Sequence, residues 1–302
     1  MTARFTALAS GTAGNSCLLE ADGFGVLIDF GLGPRTLAGR MHARGLSWRN
    51  VNLVLLSHTH TDHWRETTLV HLARLGIRLC CHAAHAEALA GQSDGFNALH
   101  AAGLVTTYMA GRSLNLAPGL TGVPLPVEHD AGEAFGFRFE GGSGLFGPGW
   151  ALGYAADLGC WDNELARSMA DVDLLALEFN HDEHLQRTRG RPPYLIERVL
   201  GDRGHLSNRQ AQQLLVKLLA ESMHTSPRHI VTLHLSRECN RPNLARNAAR
   251  DALAATGRAA EIVVASQDDP GPTLAITGSP RERQRQTRRK PAAGNSTPPR
   301  VA

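Results

Sequence analysis

His58-Thr59-His60-Thr61-Asp62-His63 places three imidazoles and a carboxylate within six residues, directly after the apolar run Leu53-Val54-Leu55-Leu56. The run reads as a strand, and the six residues as the loop it delivers. Imidazole and carboxylate are borderline-to-hard donors that suit Zn²⁺, Mn²⁺ or Fe²⁺. Along an extended tip alternate residues point the same way. That places His58, His60 and Asp62 on one face and turns His63 off it. Such a tip can serve two adjacent metals. With histidine at 15 of 302 residues, the pattern H-x-H-x-D-H is a poor fit to a chance polar loop.

The loop resembles the signature of the metallo-β-lactamase superfamily, and the resemblance continues in order. An aspartate ends an early strand in Val26-Leu27-Ile28-Asp29. A lone histidine follows a strand in Val127-Glu128-His129. Asp157 closes Tyr154-Ala155-Ala156, and His234 closes Val231-Thr232-Leu233. One branch is matched more closely. Leu8-Ala9-Ser10-Gly11-Thr12-Ala13-Gly14-Asn15-Ser16, Glu178-Phe179-Asn180-His181-Asp182, Gly204-His205-Leu206-Ser207-Asn208 and His234-Leu235-Ser236 followed by Asn240 are similar to YycJ/WalJ-like proteins. Thr12 stands where the branch usually has serine.

The resemblance implies an α+β fold, the αββα sandwich of two mixed β-sheets packed face to face with helices outside. It implies a cofactor of two divalent ions, Zn or Mn, one held by His58, His60 and His129, the other by Asp62, His63 and His234, with Asp157 bridging. Asp29 is expected to orient a ligating histidine from behind. Two such ions lower the pKa of a shared water, whose hydroxide attacks phosphorus in line, with Asp62 orienting it. Members of the branch are exonucleases on duplex DNA, so the implied reaction is phosphodiester cleavage from the 5′ end. Redox relatives carry an acidic residue where this chain has His60, which favours hydrolysis. The alternative within the superfamily is a small-molecule hydrolase of a thioester, lactone or cyclic phosphodiester.

A diester substrate needs groups that hold phosphate and protonate the leaving oxygen. Candidates for contact are Asn180, Ser207, Asn208 and Ser236. His181 and His205 are candidate general acids, since imidazole titrates near working pH. Each also has a plain reading as a strand-end or cap hydrogen bonder. The insertion from His184 to His205 carries Arg187, Arg189, Arg191, Arg198 and Arg203. Its Arg-Gly-Arg-Pro-Pro run predicts an extended basic flap, with Arg187 and Arg191 able to grip a phosphate backbone. A solvated loop is the competing account.

Composition is that of a globular chain, 42% hydrophobic and 20% charged. No stretch approaches 18 apolar residues, so no membrane span is expected. The start, Met1-Thr2-Ala3-Arg4-Phe5, lacks the layout of a secretory signal, which points to the cytoplasm. Five cysteines, an odd number without C-x-x-C, read as reduced thiols. The net charge of +3 is uneven: Pro280–Ala302 holds seven Lys or Arg against one Glu, and the remainder is mildly acidic. That stretch cannot bury enough apolar surface to fold alone. A hydrolase domain over 1–276 and a basic, unstructured tail over 277–302 are therefore expected. The tail is either a plain solvated extension or an aid to duplex DNA binding. The sequence is silent on oligomeric state.

Strand patterns are read over Phe5–Ala9, Cys17–Glu20, Gly25–Ile28, Leu53–Leu56, Ile77–Cys81, Leu125–Glu128, Phe135–Phe139, Leu152–Ala156, Val172–Glu178, Ile230–Leu233, Ile262–Ala265 and Leu274–Ile276. Helices are expected from Pro34 toward Gly45, over Leu69, Leu72, Ala73 and Leu75 to Gly76, from a Ser207/Gln210 capping box with Leu214, Leu215, Leu218 and Leu219 buried, and between Pro242 and Gly257.

Overall fold

The computed structural model describes residues 3–144 and 147–278. The strands are β1 (Ala3–Ala9), β2 (Ser16–Ala21), β3 (Phe24–Ile28), β4 (Leu53–Leu55), β5 (Arg78–His82), β6 (Val105–Tyr108), β7 (Leu114–Ala117), β8 (Leu120–Val127), β9 (Ala134–Gly144), β10 (Gly147–Ala155), β11 (Leu174–Glu178), β12 (His229–Leu233), β13 (Glu261–Val264) and β14 (Leu274–Ile276). The helices are α1 (Pro34–His42), α2 (Glu66–Leu75), α3 (Ala83–Ala90), α4 (Asp94–Ala101), α5 (Asn163–Ser168), α6 (Glu183–Thr188), α7 (Pro193–Leu200), α8 (Asn208–Glu221) and α9 (Pro242–Thr256).

Two seven-stranded sheets form, in the orders β14-β1-β2-β3-β4-β5-β6 and β13-β12-β11-β10-β9-β8-β7. Each is mixed. In the first, β14, β1, β2 and β3 pair antiparallel and β3 to β6 pair parallel. In the second, β10 to β13 pair parallel and β7 to β10 antiparallel.

The period of two along each strand builds the layers. Val26 and Ile28 join Phe5, Phe137, Leu152, Tyr154 and Val231 in the core between the sheets, while Leu27 faces the helices α1 to α4 with Leu37, Leu69 and Leu99. Leu174 and Ala176 face the inner core, while Leu175 and Leu177 meet α5, α8 and α9 through Leu165, Leu214, Leu218 and Ala249. Strands buried on both faces read as unbroken apolar runs, which is why 53–56 and 174–177 stand out in the sequence. The result is the expected α+β sandwich of four layers, αββα. Among the described residues no helix is long and apolar enough to cross a membrane.

Two expectations are corrected. The 184–205 insertion is not an extended flap but two short helices: the Asp182 carboxylate accepts from Leu185 N at the start of α6, and Pro193 opens α7. Proline at a first helical position starts a helix as readily as it breaks one. Leu75, read as part of a buried stripe, is 46% exposed; it is the last residue of α2, where the helix leaves the sheet. The strands β6 and β7 and the helices α3 and α4 carry no strong periodicity and go unread. The expected tail lies, from residue 279 on, outside the described residues.

Candidate metal centre

Six strands, β3, β4, β8, β10, β11 and β12, end at one edge of the sandwich and release Asp29, the 57–63 loop, His129, Asp157, Asn180 and His234 there. Two of these residues pay conformational strain. Asp29 has φ 60° and His234 has φ 53°, a left-handed conformation that costs a non-glycine residue about 1–3 kcal/mol. Hydrogen bonds hold both in place. Asp29 N donates to Leu55 O at 2.9 Å, and His234 N donates to Ser10 Oγ at 2.8 Å.

The 58–63 segment is not an extended tip. His63 N donates to His60 O at 2.9 Å, closing a turn, and His63 becomes fully buried. The alternation argument thus fails for His63, which points inward with the others. Gly31 permits this turn, since a Cβ there would lie 1.7 Å from Asp62 O. The Asp29 carboxylate, fully buried, accepts from Ser57 N, Ser57 Oγ and His63 Nδ1, each at 2.8 Å. It fixes the His63 ring with Nε2 toward the centre.

Two donor triads result, His58/His60/His129 and Asp62/His63/His234, and in each the candidate ligand atoms lie within 4.8 Å of one another. Asp157 stands between them. Its Oδ2 is 2.5 Å from His63 Nε2 and 3.8 Å from His58 Nε2, and its Oδ1 is 2.6 Å from His234 Nδ1. All three atoms are buried; His58 Nε2 makes no hydrogen bond, and the Asp157 oxygens meet imidazole nitrogens alone, at ion-pair distance and without a well-aligned hydrogen bond. Buried polar atoms left without a partner are costly. Donors crowded around a common point with lone pairs unspent fit divalent cations, and the all-N/O set suits Zn²⁺ and Mn²⁺ alike.

Protonation agrees with that fit. Burial pushes His58 well below the usual imidazole range, and it lowers His60 and His129 too, so their lone pairs are available. His129 Nδ1 donates to Gly204 O at 2.9 Å, which leaves Nε2 to the centre. In the second triad burial also pulls His63 and His234 down, but Asp157 together with Asp29 and Asp62 at His63, and with Asp62 and Glu178 at His234, outweighs it and raises both, so a cation entering there displaces their protons. For Asp62, burial raises the carboxyl while His63 and His234 together bring it down to about 2. Asn15 Nδ2 donates to Asp62 Oδ2 at 3.1 Å and lies 2.9 Å from His63 Nε2.

A cleft of about 350 Å³ opens over these groups. His205 and Arg198 line it with His60, Asp62, Asp157 and Thr12. His205 Nδ1 donates to Glu178 Oε1 at 2.8 Å and lies 3.3 Å from Asp157 Oδ1. Burial lowers its pKa, but Glu178 and Asp157 outweigh this and raise it to about 9. Arg198 Nε sits 2.5 Å from Asp130 Oδ2, and Asp130 Oδ1 lies 3.3 Å from His60 Nε2.

The other candidates stand elsewhere. His181 is buried, with neither ring nitrogen partnered among the described residues, and burial lowers it to about 4. It does not line the cleft. Asn180 Nδ2 donates to His234 O at 2.9 Å, so it shapes the His234 loop. Ser207 caps α8, Asn208 pairs with Asn240 at 2.9 Å, and Ser236 Oγ accepts from Cys239 N. Arg191 pairs with Glu238 at 3.0 Å, while Arg187 is exposed on α6. None of these lines the cleft. Glu178, Asp130, Arg198 and Ser57 went unread as site residues. Glu178 carried a usable signal, since it ends an apolar strand as Asp29 nearly does. For Arg198 the helix α7 had first to be recognised.

The sequence matches the family described as the beta-lactamase superfamily domain over residues 25–230. It is 24% identical over 264 residues to exodeoxyribonuclease YycJ of Bacillus anthracis, covering 85% of this chain and 91% of that protein. It is 24% identical over 242 residues to exodeoxyribonuclease WalJ of Streptococcus pneumoniae, covering 80% and 85%. Among solved structures, the metallo-beta-lactamase fold protein YhfI from Bacillus subtilis superposes with a TM-score of 0.63 at 15% identity, over 91% of this chain and all of that one. That last likeness is one of fold.

Proposed function

The chain belongs to the metallo-β-lactamase superfamily and is a metal-dependent hydrolase, and on that premise we propose that it cleaves phosphodiester bonds of nucleic acid, acting as a 5′-exonuclease on duplex DNA in the cytoplasm. The relatives named exodeoxyribonucleases support the substrate class. The observation that carries the reading is Asp157, whose two buried oxygens face both donor triads, Oδ2 lying 3.8 Å from His58 Nε2 and 2.5 Å from His63 Nε2 and Oδ1 2.6 Å from His234 Nδ1. Two divalent ions, held by His58, His60 and His129 and by Asp62, His63 and His234 and shared by Asp157, would supply an ionised water and a Lewis acid at neutral pH.

The chain's own residues do the rest. Asp62 is anionic and held through Oδ2 by Asn15, which leaves Oδ1 to orient the attacking water. Arg198, anchored by Asp130 through Nε, offers its two terminal nitrogens to a non-bridging phosphate oxygen. His205, kept protonated by Glu178 and presented to the cleft, donates a proton to the leaving oxygen. Asp29 and Asn180 hold His63 and His234 in place. The five cysteines are free, which agrees with a reducing compartment.

The test is digestion of end-labelled duplex DNA with 5′-phosphate or 5′-hydroxyl ends in Mn²⁺ or Zn²⁺, with Asp62→Ala protein purified alongside. Stepwise loss of nucleotides from the 5′ end by wild type alone is expected. Equal traces from both proteins, with wild type folded and metal-loaded, would overturn the nuclease reading and leave a small-molecule ester or cyclic phosphodiester as substrate.

A further inference from the structure

Beyond His234 the chain turns through Ser236, Arg237 and Asn240 into α9, and the stretch after β13 runs alongside. Between them lies a second recess of about 400 Å³. Three guanidinium groups line it, those of Arg237, Arg241 and Arg246, and no carboxylate does. Arg237 is paired with Asp268 outside the lining. Arg241 has no acidic partner; its Nη1 rests on the carbonyl oxygens of Arg237, Glu238 and Asn240. Arg246 is exposed and makes no ion pair among the described residues. Among the described residues two of the three arginines that line the recess, Arg241 and Arg246, are therefore left without a carboxylate partner.

The recess adjoins the metal cleft. Ser10 lines it, and the same Ser10 Oγ accepts the backbone N–H of His234; Thr12, two residues on, lines the cleft. A plain solvated helix face would spread its arginines over a convex surface and mix them with acids. Here three arginines line one recess whose lining holds no acidic residue, and the planar guanidinium is the side-chain group that matches phosphate oxygens.

We propose that this recess is a phosphate-binding subsite, separate from the metal cleft, that holds a non-scissile phosphate of the substrate strand. That the phosphate belongs to nucleic acid rests on the function proposed above; that the ligand is a phosphate anion rests on the arginines alone.

The first experiment uses the full metal-loaded chain and inorganic phosphate. The side-chain Nε–H resonances of Arg241 and Arg246 should shift and saturate on titration, and Arg246→Glu should abolish the Arg241 shift. Resonances that do not move, or an Arg241 shift unchanged in Arg246→Glu, would overturn the subsite. The second measures binding of 5′-phosphorylated and 5′-hydroxyl duplex DNA to full-length Asp62→Ala protein by fluorescence anisotropy. Adding Arg246→Glu should weaken binding roughly tenfold or more and make the slope of log affinity against log salt shallower by about 1, while Arg246→Lys should restore much of both. Equal affinity and slope with and without Arg246→Glu would overturn the assignment to the substrate strand. Phosphate shifts without DNA binding would support the subsite and sink the nuclease reading. DNA digestion with silent arginine resonances would do the reverse.

Discussion

His205 Nδ1 lies 2.8 Å from Glu178 Oε1, and that carboxylate is fully buried at the end of β11. The pair gives a cleft residue a permanent proton near neutral pH. Glu178 also accepts from Leu158 N and Leu206 N, so its position is set by backbone on two sides. Replacing it with glutamine keeps an acceptor and removes the charge. The His205 pKa then falls from about 9, and the protonated fraction drops most at high pH. Glu178→Gln should lower kcat by about a hundredfold at pH 8 and by less at pH 6. A pH–rate profile checks this, and a loss equal at all pH would mean a purely structural role.

Asp29 touches no cleft atom but fixes His63 through a 2.8 Å hydrogen bond. Asp29→Asn should weaken metal binding by about 10- to 100-fold. Competition with a chromophoric chelator measures it. Affinity unchanged in a folded variant would show that the ring needs no such support.

Arg198 is the guanidinium of the cleft wall, 54% exposed at its side chain and tied, among the described residues, to Asp130 alone. Its proposed work is to hold phosphate before and during reaction alike. Arg198→Ala should therefore raise KM about tenfold with little change in kcat, and Arg198→Lys should recover only part of the loss because the planar fork is gone. Steady-state kinetics on a short duplex decide the matter. A fall in kcat alone would place Arg198 in the transition state instead.

His181 gives a stability signature. Its folded pKa is depressed by burial to about 4, below the unfolded value near 6.5. Between those values the unfolded chain binds a proton that the folded chain refuses. Stability therefore falls as pH drops from about 6.5 toward 4, by up to about 3 kcal/mol for this one group. His181→Phe should flatten that part of the curve, since neither ring nitrogen has a partner to lose. Denaturant unfolding at pH 7, 6 and 5 tests it; parallel curves for the two proteins would refute it.

Much of this protein is written locally in its chain. The runs 26–28, 53–56 and 174–177 are apolar throughout, and 230–233 is broken only by the buried Thr232, because each strand is buried on both faces. Ligand chemistry placed at their ends shows in the sequence as His or Asp after a hydrophobic block, and the family resemblance sorts those residues into two triads and Asp157. The helix limits at Gly76, Ser207 and Gly257 are local as well, since caps depend on a few adjacent residues.

What only the tertiary structure decided is which polar groups face the cleft and which are spent inside. Asn180, Ser207 and Asn208 looked like substrate contacts as polar residues of the motifs that carry the resemblance, and Ser236 because it follows the ligand His234 closely. Folding commits their side chains to backbone and to one another. Arg198 lies 68 residues from its partner Asp130, and the arginines that enter α9 border a recess only because the stretch after β13 runs alongside them. Periodicity and capping are short-range properties, and a sequence displays them. Convergence of charge across a sheet edge depends on contacts between distant segments, and nothing within either segment encodes it.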